Sequence, residues 1–200
     1  MSVEKPRERP ILFNDQMVRA ILDGRKTVTR RIVKPQPSLP TTHWWPSNGR
    51  GPQWMADGPS EATGGTRQTW GWKECPFGKP GDRLWVRETF ADIGCRLTFR
   101  ADLEDGAHCS VTRWTPSLHM PRWASRILLE ITAVRVERLQ DISDDQAIAE
   151  GIDTHPTGFY GNGCITAGGA FLELWESING DGKWAANPWV WVIEFKRVAP

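Results

Sequence analysis

The apolar and polar positions near the N-terminus follow two different periods in succession. Four apolar residues recur at the spacing of one helix face: Met17, Val18, Ile21 and Leu22. This spacing predicts an amphipathic helix over residues 14–23, with Asn14 as the N-cap and Gly24 as the left-handed residue beyond the C-terminus. Over residues 25–33 the pattern becomes that of an extended strand. A helix-to-strand junction is therefore predicted just after Gly24.

Alternation of apolar and polar positions predicts further strands along the chain. Their approximate ranges are 83–90, 95–101, 126–139 and 188–198. In the strand over 126–139 the parity of the apolar positions reverses near Thr132 and Ala133, so an extra residue, and hence a β-bulge, is predicted there. The strand over 188–198 is apolar on both faces, which places it in the interior of the sheet.

Two short helices are predicted in the C-terminal half. Ser143 and Gln146 form a capping box, so a helix is expected over 144–150, with Glu150 at its end and Gly151 as its stop. A second helix is predicted over 170–178 from an apolar stripe that is expected to be buried. The stripe consists of Phe171, Leu174, Trp175 and Ile178.

The remaining segments show little periodicity. We interpret residues 1–10 as a loose N-terminal arm and residues 11–200 as a single domain that starts with a short strand over 11–13. Irregular insertions are expected at about 35–79, 102–123 and 152–169. The first insertion is rich in tryptophan, of which the chain has 12, and we expect it to pack on the domain.

The order of the predicted elements is a helix, several antiparallel strands, two short helices and a final strand. It lacks the alternation of strands and helices that a Rossmann or doubly wound sheet requires. We therefore expect the α+β class: a small, mixed, partly closed β-barrel with short flanking helices and long irregular insertions.

The charges of the chain nearly cancel, with 25 lysines and arginines against 24 aspartates and glutamates. This balance excludes the strongly basic field of a sequence-independent DNA binder, and sequence-specific DNA binding is not expected either. Binding of RNA or a nucleoside is compatible with this balance, because a chain with almost no net charge can still have local basic patches. No apolar run is long enough to span a bilayer, and residues 1–10 do not resemble a signal peptide, so we predict a cytoplasmic protein.

Four cysteines are present: Cys75, Cys95, Cys109 and Cys164. They form no CxxC pair, and their spacing is not that of a zinc module. Convergence of Cys75, Cys95, His108 and Cys109 on a metal is the alternative, but we favour ordinary reduced thiols and predict no metal and no cofactor.

The junction after the first helix concentrates the most chemistry in the chain. Its spacing, Gly24-x-Lys26-x-x-Thr29-x-Arg31, resembles the signature of the ASCH domain, a PUA-like β-barrel family linked to RNA. Thr29 stands where the family pattern commonly has glutamate. The small bacterial ASCH amidohydrolases that remove the acetyl group from N4-acetylcytidine have lysine and threonine at this spacing, in a run very like residues 21–29.

Further segments extend this resemblance. Residues 144–150 look like the helix that ends in the catalytic glutamate of those enzymes, with Glu150 at the matching position. The closing strand over 190–196 and the strand entry over 81–86 are also similar. The match covers about half of the chain, in order, and leaves out mainly the three insertions. The whole chain is also similar to uncharacterised ASCH proteins of bacteriophages and prophages.

The resemblance implies a PUA-like barrel and an amidohydrolase that acts on an N4-acylated cytosine nucleoside or a related amide. Its implied catalytic residues are Lys26, to activate a water or Thr29; Thr29, as nucleophile or oxyanion donor; and Glu150, to orient Lys26 and relay the proton. Arg25, Arg31, Glu88 and Tyr160 are our candidates for substrate binding. The alternatives are a non-catalytic binder of single-stranded RNA or modified nucleotides, and an ASCH-type ribonuclease.

Three points stay open at the level of sequence. Positions 26 and 29 have opposite parity in a regular strand, so Lys26 must lie in the turn after Gly24 if it shares a site with Thr29. Arg31 suits either a phosphate or a carboxylate partner. Glu88 is either a cavity carboxylate or a strand end that reaches solvent.

Overall fold

The computed structural model describes residues 5–37, 41, 43–46, 53–58, 68–102 and 106–199. Within these ranges the protein is a mixed α+β structure in which sheet predominates, as the sequence predicts. The helices found there are α1 (Asp15–Leu22), α2 (Asp144–Ala149) and α3 (Ala167–Asn179). None of these helices has the length and apolar character needed to cross a membrane.

The strands of the described ranges form sheets of different sizes. In chain order they are β1 (Glu8–Leu12), β2 (Val28–Ile32), β3 (His43–Pro46), β4 (Gln53–Gly58), β5 (Gln68–Glu74), β6 (Arg83–Arg87), β7 (Phe90–Asp92), β8 (Leu97–Phe99), β9 (Leu128–Arg138) and β10 (Trp189–Val198). Short 3-10 helices lie at Gly106–Ser110, Ser117–His119, Arg122–Ala124 and Leu139–Asp141. The main sheet has the order β1-β6-β9-β10-β2, beside a sheet β3-β4-β5 and a ribbon β7-β8.

Strand β1 makes the main sheet mixed, because it pairs with β6 in parallel whereas the other pairs are antiparallel. The predicted loose arm over 1–10 is therefore wrong for residues 8–10, which are paired with residues 83–85. The strand predicted over 11–13 thus starts three residues too late, because Ile11 is the only buried residue of β1 and the hydrophobic pattern does not reveal the rest.

The two edge strands of the main sheet, β1 and β2, approach each other. Arg31 of β2 donates a hydrogen bond from Nη2 to the carbonyl oxygen of Leu12 in β1 at 2.6 Å. The described residues show no backbone ladder between these two strands. The sheet is therefore strongly curved, and a side chain links its edges.

The long strands behave as the alternation predicts. Glu194 of β10 lies opposite Ala133, but Phe195 lies opposite Ile131, so Thr132 is the extra residue of a bulge in β9. Strand β10 lies between β9 and β2, which confirms its interior position. Its alternate residues pack into two apolar cores, one that includes α1 residues and one beneath α2 and α3. Both faces of β10 are apolar for this reason.

The tryptophan-rich insertion is more ordered than the sequence indicates. Strands β3, β4 and β5 form an antiparallel sheet, which corrects the prediction of an irregular segment over 35–79. The expected packing on the domain is confirmed, since the Trp44 ring lies 6.1 Å from Trp189 and 6.2 Å from Trp191, and Trp54 lies 6.5 Å from Trp191. The strands were missed because their apolar residues do not alternate regularly.

Helix α3 begins before the predicted start at residue 170, because the Thr166 hydroxyl accepts a hydrogen bond from the Gly169 N–H at 3.0 Å. Phe171 and Trp175 are buried as predicted. Ile178 is 49% exposed, so the predicted burial is wrong at this end of the stripe. Its side chain lines an open cavity instead of the core.

Candidate active site

The turn after α1 places Lys26 outside the regular strand. Gly24 has a φ of 76°, and the Lys26 N–H donates back to the Ala20 carbonyl oxygen at 2.9 Å. Strand β2 begins only at Val28. Lys26 therefore lies in the turn after Gly24, as the opposite parity of positions 26 and 29 requires for a shared site. No straight strand runs through both residues.

Helix α2 presents Glu150 to the same place from the other side. The predicted capping box between Ser143 and Gln146 is present, and Glu150 is the C-cap. The Thr27 N–H donates to the Ala149 carbonyl oxygen at 2.9 Å, which ties the end of α2 to the start of β2. Two segments more than a hundred residues apart in sequence thus meet at Lys26 and Glu150.

The Lys26 ammonium is fully enclosed and fully bonded. Its Nζ atom donates to Glu150 Oε2 at 2.6 Å, to the Glu150 carbonyl oxygen at 2.7 Å and to the Val28 carbonyl oxygen at 2.9 Å. The side chains of Lys26 and Glu150 are 0% and 3% exposed. Burial lowers the pKa of Lys26, and the Glu150 carboxylate acts in the opposite direction. The pair is a buried salt bridge with no free N–H on the lysine side.

Arg30 is a member of the site that sequence reasoning did not assign. Its guanidinium donates to Gln146 Oε1 at 2.7 Å, to Glu137 Oε2 at 3.3 Å and to Glu150 Oε1 at 3.4 Å. It therefore connects β2, β9 and α2 and holds the second oxygen of Glu150. The sequence contains one indication of this role. Arg30 lies between Val28 and Ile32 on an apolar face of the strand, where a buried charge needs a partner.

A cavity of about 440 Å³ runs along the free edge of β2. Residues of both parities reach it because it borders an edge strand, so Thr29, Arg30 and Arg31 all line it together with Glu150. A large apolar part of its lining comes from α3 and from the loop before β6. This part consists of Phe77, Phe171, Leu174, Trp175 and Ile178.

A second cavity of about 320 Å³ adjoins the first and is more polar. Met17, Glu150 and Leu174 line both cavities, so Glu150 lies at the junction between them. Arg25 lines this second cavity and is paired with Asp153 at 2.8 Å and with Asp23 at 3.0 Å.

Lys26 itself is not among the residues that line either cavity. Its role as the group that activates water directly needs correction, since its three N–H groups are engaged and its side chain is enclosed. Glu150 stands between Lys26 and the cavities. The structure thus brings Lys26, Thr29 and Glu150 together, and it is Glu150 and Thr29, not Lys26, that line a cavity.

Arg31 carries a charge that few groups balance. Its one hydrogen bond within the described ranges is the bond to the Leu12 carbonyl oxygen, and its Nε atom is buried without a partner. The Phe13 ring lies 5.2 Å from its Cζ atom. Burial lowers the pKa of Arg31. Of the two partners considered for Arg31, a carboxylate within 4.0 Å is not found in the described part of the chain.

The two other substrate-binding candidates lie apart from this cluster. Glu88 is completely buried and pairs with Arg126 at 2.9 Å, and Arg126 also bridges to Asp102 at 2.8 Å. The interpretation of Glu88 as a strand end that reaches solvent is wrong, and Glu88 lines neither of these two cavities. Burial raises its pKa. Tyr160 packs against the core beneath α3 and is absent from both cavity walls.

The four cysteines are free thiols. Cys75 is buried, Cys164 is partly buried, and Cys95 and Cys109 are exposed. Burial raises the pKa of the Cys75 thiol to about 11. In the ranges that the structure describes, no three potential ligands among His, Cys, Asp and Glu are grouped as a metal site would require.

Comparison of the chain with protein-family models, with curated proteins and with solved structures finds no match. The case for a function therefore rests on the cavity and on the residues that line it.

Two glycines near the site allow a matched test of its packing. Gly24 and Gly151 have φ values of 76° and 94°, so alanine is strained at both positions by about 1–2 kcal/mol. A Cβ at Gly24 would meet nothing within 4 Å, whereas one at Gly151 would lie 2.9 Å from Ala20 Cβ and 3.1 Å from Lys26 Cβ. We expect Gly151→Ala to lower the free energy of unfolding by about 1–3 kcal/mol more than Gly24→Ala.

Urea unfolding of the two variants measures this difference. Equal losses would show that the backbone around Lys26 yields to an added methyl group and that the lysine is not held tightly in place.

Proposed function

We propose that this protein is an amidohydrolase that acts on an N4-acylated cytosine nucleoside or a related amide. The observation that carries the proposal is the buried Lys26–Glu150 pair, whose carboxylate borders a cavity that also contains Thr29. Amide hydrolysis requires a base for the attacking water, a proton for the leaving nitrogen and a donor for the oxyanion. One carboxylate and one hydroxyl on the same cavity wall supply these three functions.

The reaction proceeds in two steps in this proposal. Glu150 takes a proton from a water in the cavity, and the resulting hydroxide adds to the amide carbonyl carbon. The oxyanion that forms accepts a hydrogen bond from the Thr29 hydroxyl. The C–N bond then breaks, Glu150 returns the proton to the leaving nitrogen, and the products are the free amine of cytosine and a carboxylic acid.

Lys26 and Arg30 are positioning residues in this mechanism. Each holds one oxygen of Glu150, at 2.6 Å and 3.4 Å respectively, so the carboxylate has a fixed orientation towards the cavities. This assignment replaces the direct role of Lys26 that the sequence suggested.

The lining of the cavity suits a planar base. Phe171 and Trp175 are among its residues, and aromatic side chains of this kind stack on nucleobases. The approach of the sheet edges at Arg31 and Leu12 supports a PUA-like barrel of the ASCH type, which is the fold that we propose for the domain.

The test is incubation of the purified protein with N4-acetylcytidine, with release of cytidine followed by chromatography. We expect turnover. Tight binding of a single-stranded RNA oligomer without any release of cytidine would replace the hydrolase with a binding protein. Cleavage of the oligomer would favour the ribonuclease.

A further inference from the structure

We propose that the substrate of this site carries an anionic phosphate group, which Arg31 and Lys34 bind at one side of the cavity. The proposal rests on the hydrolase function argued above and narrows its substrate from a free nucleoside to a phosphorylated one.

The charges of the cluster leave Arg31 in excess. Glu150 faces two cations, Lys26 at 2.6 Å and Arg30 at 3.4 Å, and Glu137 shares Arg30 at 3.3 Å. Glu137 also pairs with Arg135, which pairs with Glu194, so three cations and three carboxylates balance one another in this network. Arg31 lines the same cavity, and the described residues place no carboxylate within salt-bridge distance of it.

Most N–H donors of the Arg31 guanidinium make no hydrogen bond within the described ranges. A guanidinium offers five N–H donors in a planar fork, and the described contacts of Arg31 use one of them, on the Leu12 carbonyl oxygen. Such a fork matches two oxygens of a phosphate. Glu150 acts on Arg31 at a distance, and no ion pair of Arg31 is found in the described ranges. A cation held at a cavity wall without a carboxylate in contact is expected to attract an anionic ligand.

The charged residues that line the two cavities indicate which of the cavities receives the phosphate. The cavity along β2 is lined by three cations, Arg30, Arg31 and Lys34, against the single carboxylate of Glu150. The adjoining cavity is lined by Arg19 and Arg25 against four carboxylates: Asp23, Glu150, Asp153 and Glu173. An anionic group is therefore favoured in the first cavity and disfavoured in the second.

Lys34 is the second cation of the proposed phosphate subsite and lies on its solvent-exposed side. It is exposed and lines the same cavity two residues beyond the end of β2. An exposed ammonium is a mobile point charge, so its contribution is smaller than that of a half-buried guanidinium. Lys34 is also the safer position for a substitution, because its side chain is not part of the core.

The experiment compares kcat/KM on N4-acetylcytidine with kcat/KM on its 5′-monophosphate. We expect the wild type to prefer the monophosphate by roughly tenfold or more, the effect of one charge-assisted contact. Lys34→Ala should reduce this preference by about threefold to fivefold. Arg31→Lys keeps the charge but loses the fork, and should reduce it by roughly tenfold. Lys183→Ala, which removes an exposed lysine outside both cavities, should leave it unchanged.

A short RNA oligomer that contains N4-acetylcytidine distinguishes the two sources of phosphate. A higher kcat/KM on the oligomer than on the monophosphate assigns the subsite to an RNA backbone, and a lower or equal value assigns it to a mononucleotide.

Equal kcat/KM on the nucleoside and the monophosphate overturns the phosphate subsite and leaves the hydrolase standing. If none of the substrates is turned over, the hydrolase fails, and calorimetric binding of cytidine and of cytidine 5′-monophosphate then decides on the subsite. Tighter binding of the monophosphate that Lys34→Ala weakens supports it, and equal binding contradicts it.

Discussion

Replacement of Glu150 by glutamine is expected to lower kcat on N4-acetylcytidine by about 10²–10⁴-fold, the usual contribution of a general base. Glutamine has nearly the same shape but cannot accept a proton from water at neutral pH. KM should change much less, because the aromatic wall and the other polar groups of the cavity are retained. Steady-state kinetics separates the two parameters.

Glu88→Gln is the matched control for this substitution. Glu88 is also a buried glutamate paired with an arginine, at 2.9 Å, but it lines neither of the two cavities. Both variants should lose stability, since Glu150→Gln leaves the buried Lys26 and Glu88→Gln leaves the partly buried Arg126 with one carboxylate less. The Glu88 variant should keep its kcat. A comparable loss of kcat in both variants would show that the effect comes from stability and not from the site.

Lys26→Met is expected to lower the free energy of unfolding by about 3–5 kcal/mol. The cause is the Glu150 carboxylate, which is 3% exposed and would lose its closest cation. For a domain of this size the loss corresponds to a fall in Tm of roughly 6–20 °C. Thermal unfolding followed by circular dichroism measures it.

The double variant Lys26→Met/Glu150→Leu tests the cause of that loss. Buried ion pairs can often be exchanged for apolar residues of similar volume without loss of stability, so the double variant should recover part of the free energy that Lys26→Met loses. The recovery is partial because the Val28 and Glu150 carbonyl oxygens still lack the lysine donor. Additive losses in the double variant would show that the two side chains act independently, contrary to their contact at 2.6 Å.

Local signals in the sequence were sufficient for the elements that hold the site. The Asn14 cap, the capping box at Ser143 and the parity change at Thr132 each depend on a few neighbouring residues, and each is present in the structure. The parity of positions 26 and 29 also identified the turn after Gly24 as the place where Lys26 had to lie.

Long-range pairing was not accessible in this way. Strand β1 and the sheet formed by β3, β4 and β5 lack regular alternation, because few of the side chains described for these strands enter the core. Arg30 and Glu88 illustrate the same limit for charges. Both are buried only because partners distant in sequence reach them, Gln146 and Glu137 in one case and Arg126 in the other.

The sequence also did not indicate how deeply each residue of the site is buried. The motif indicated that Lys26, Thr29 and Glu150 belong together, but not which of them faces the substrate. The structure encloses Lys26 behind Glu150 because its Nζ atom satisfies two backbone carbonyl oxygens as well as the carboxylate.

The most direct test of the central claim is the rate of cytidine release from N4-acetylcytidine, measured in parallel for the wild type and for Lys26→Met/Glu150→Leu at matched concentrations of folded protein. We expect turnover by the wild type and none above background by the double variant, although the double variant stays folded. Release of cytidine by the folded double variant at the wild-type rate would contradict the claim that the Lys26–Glu150 pair is the centre of hydrolysis.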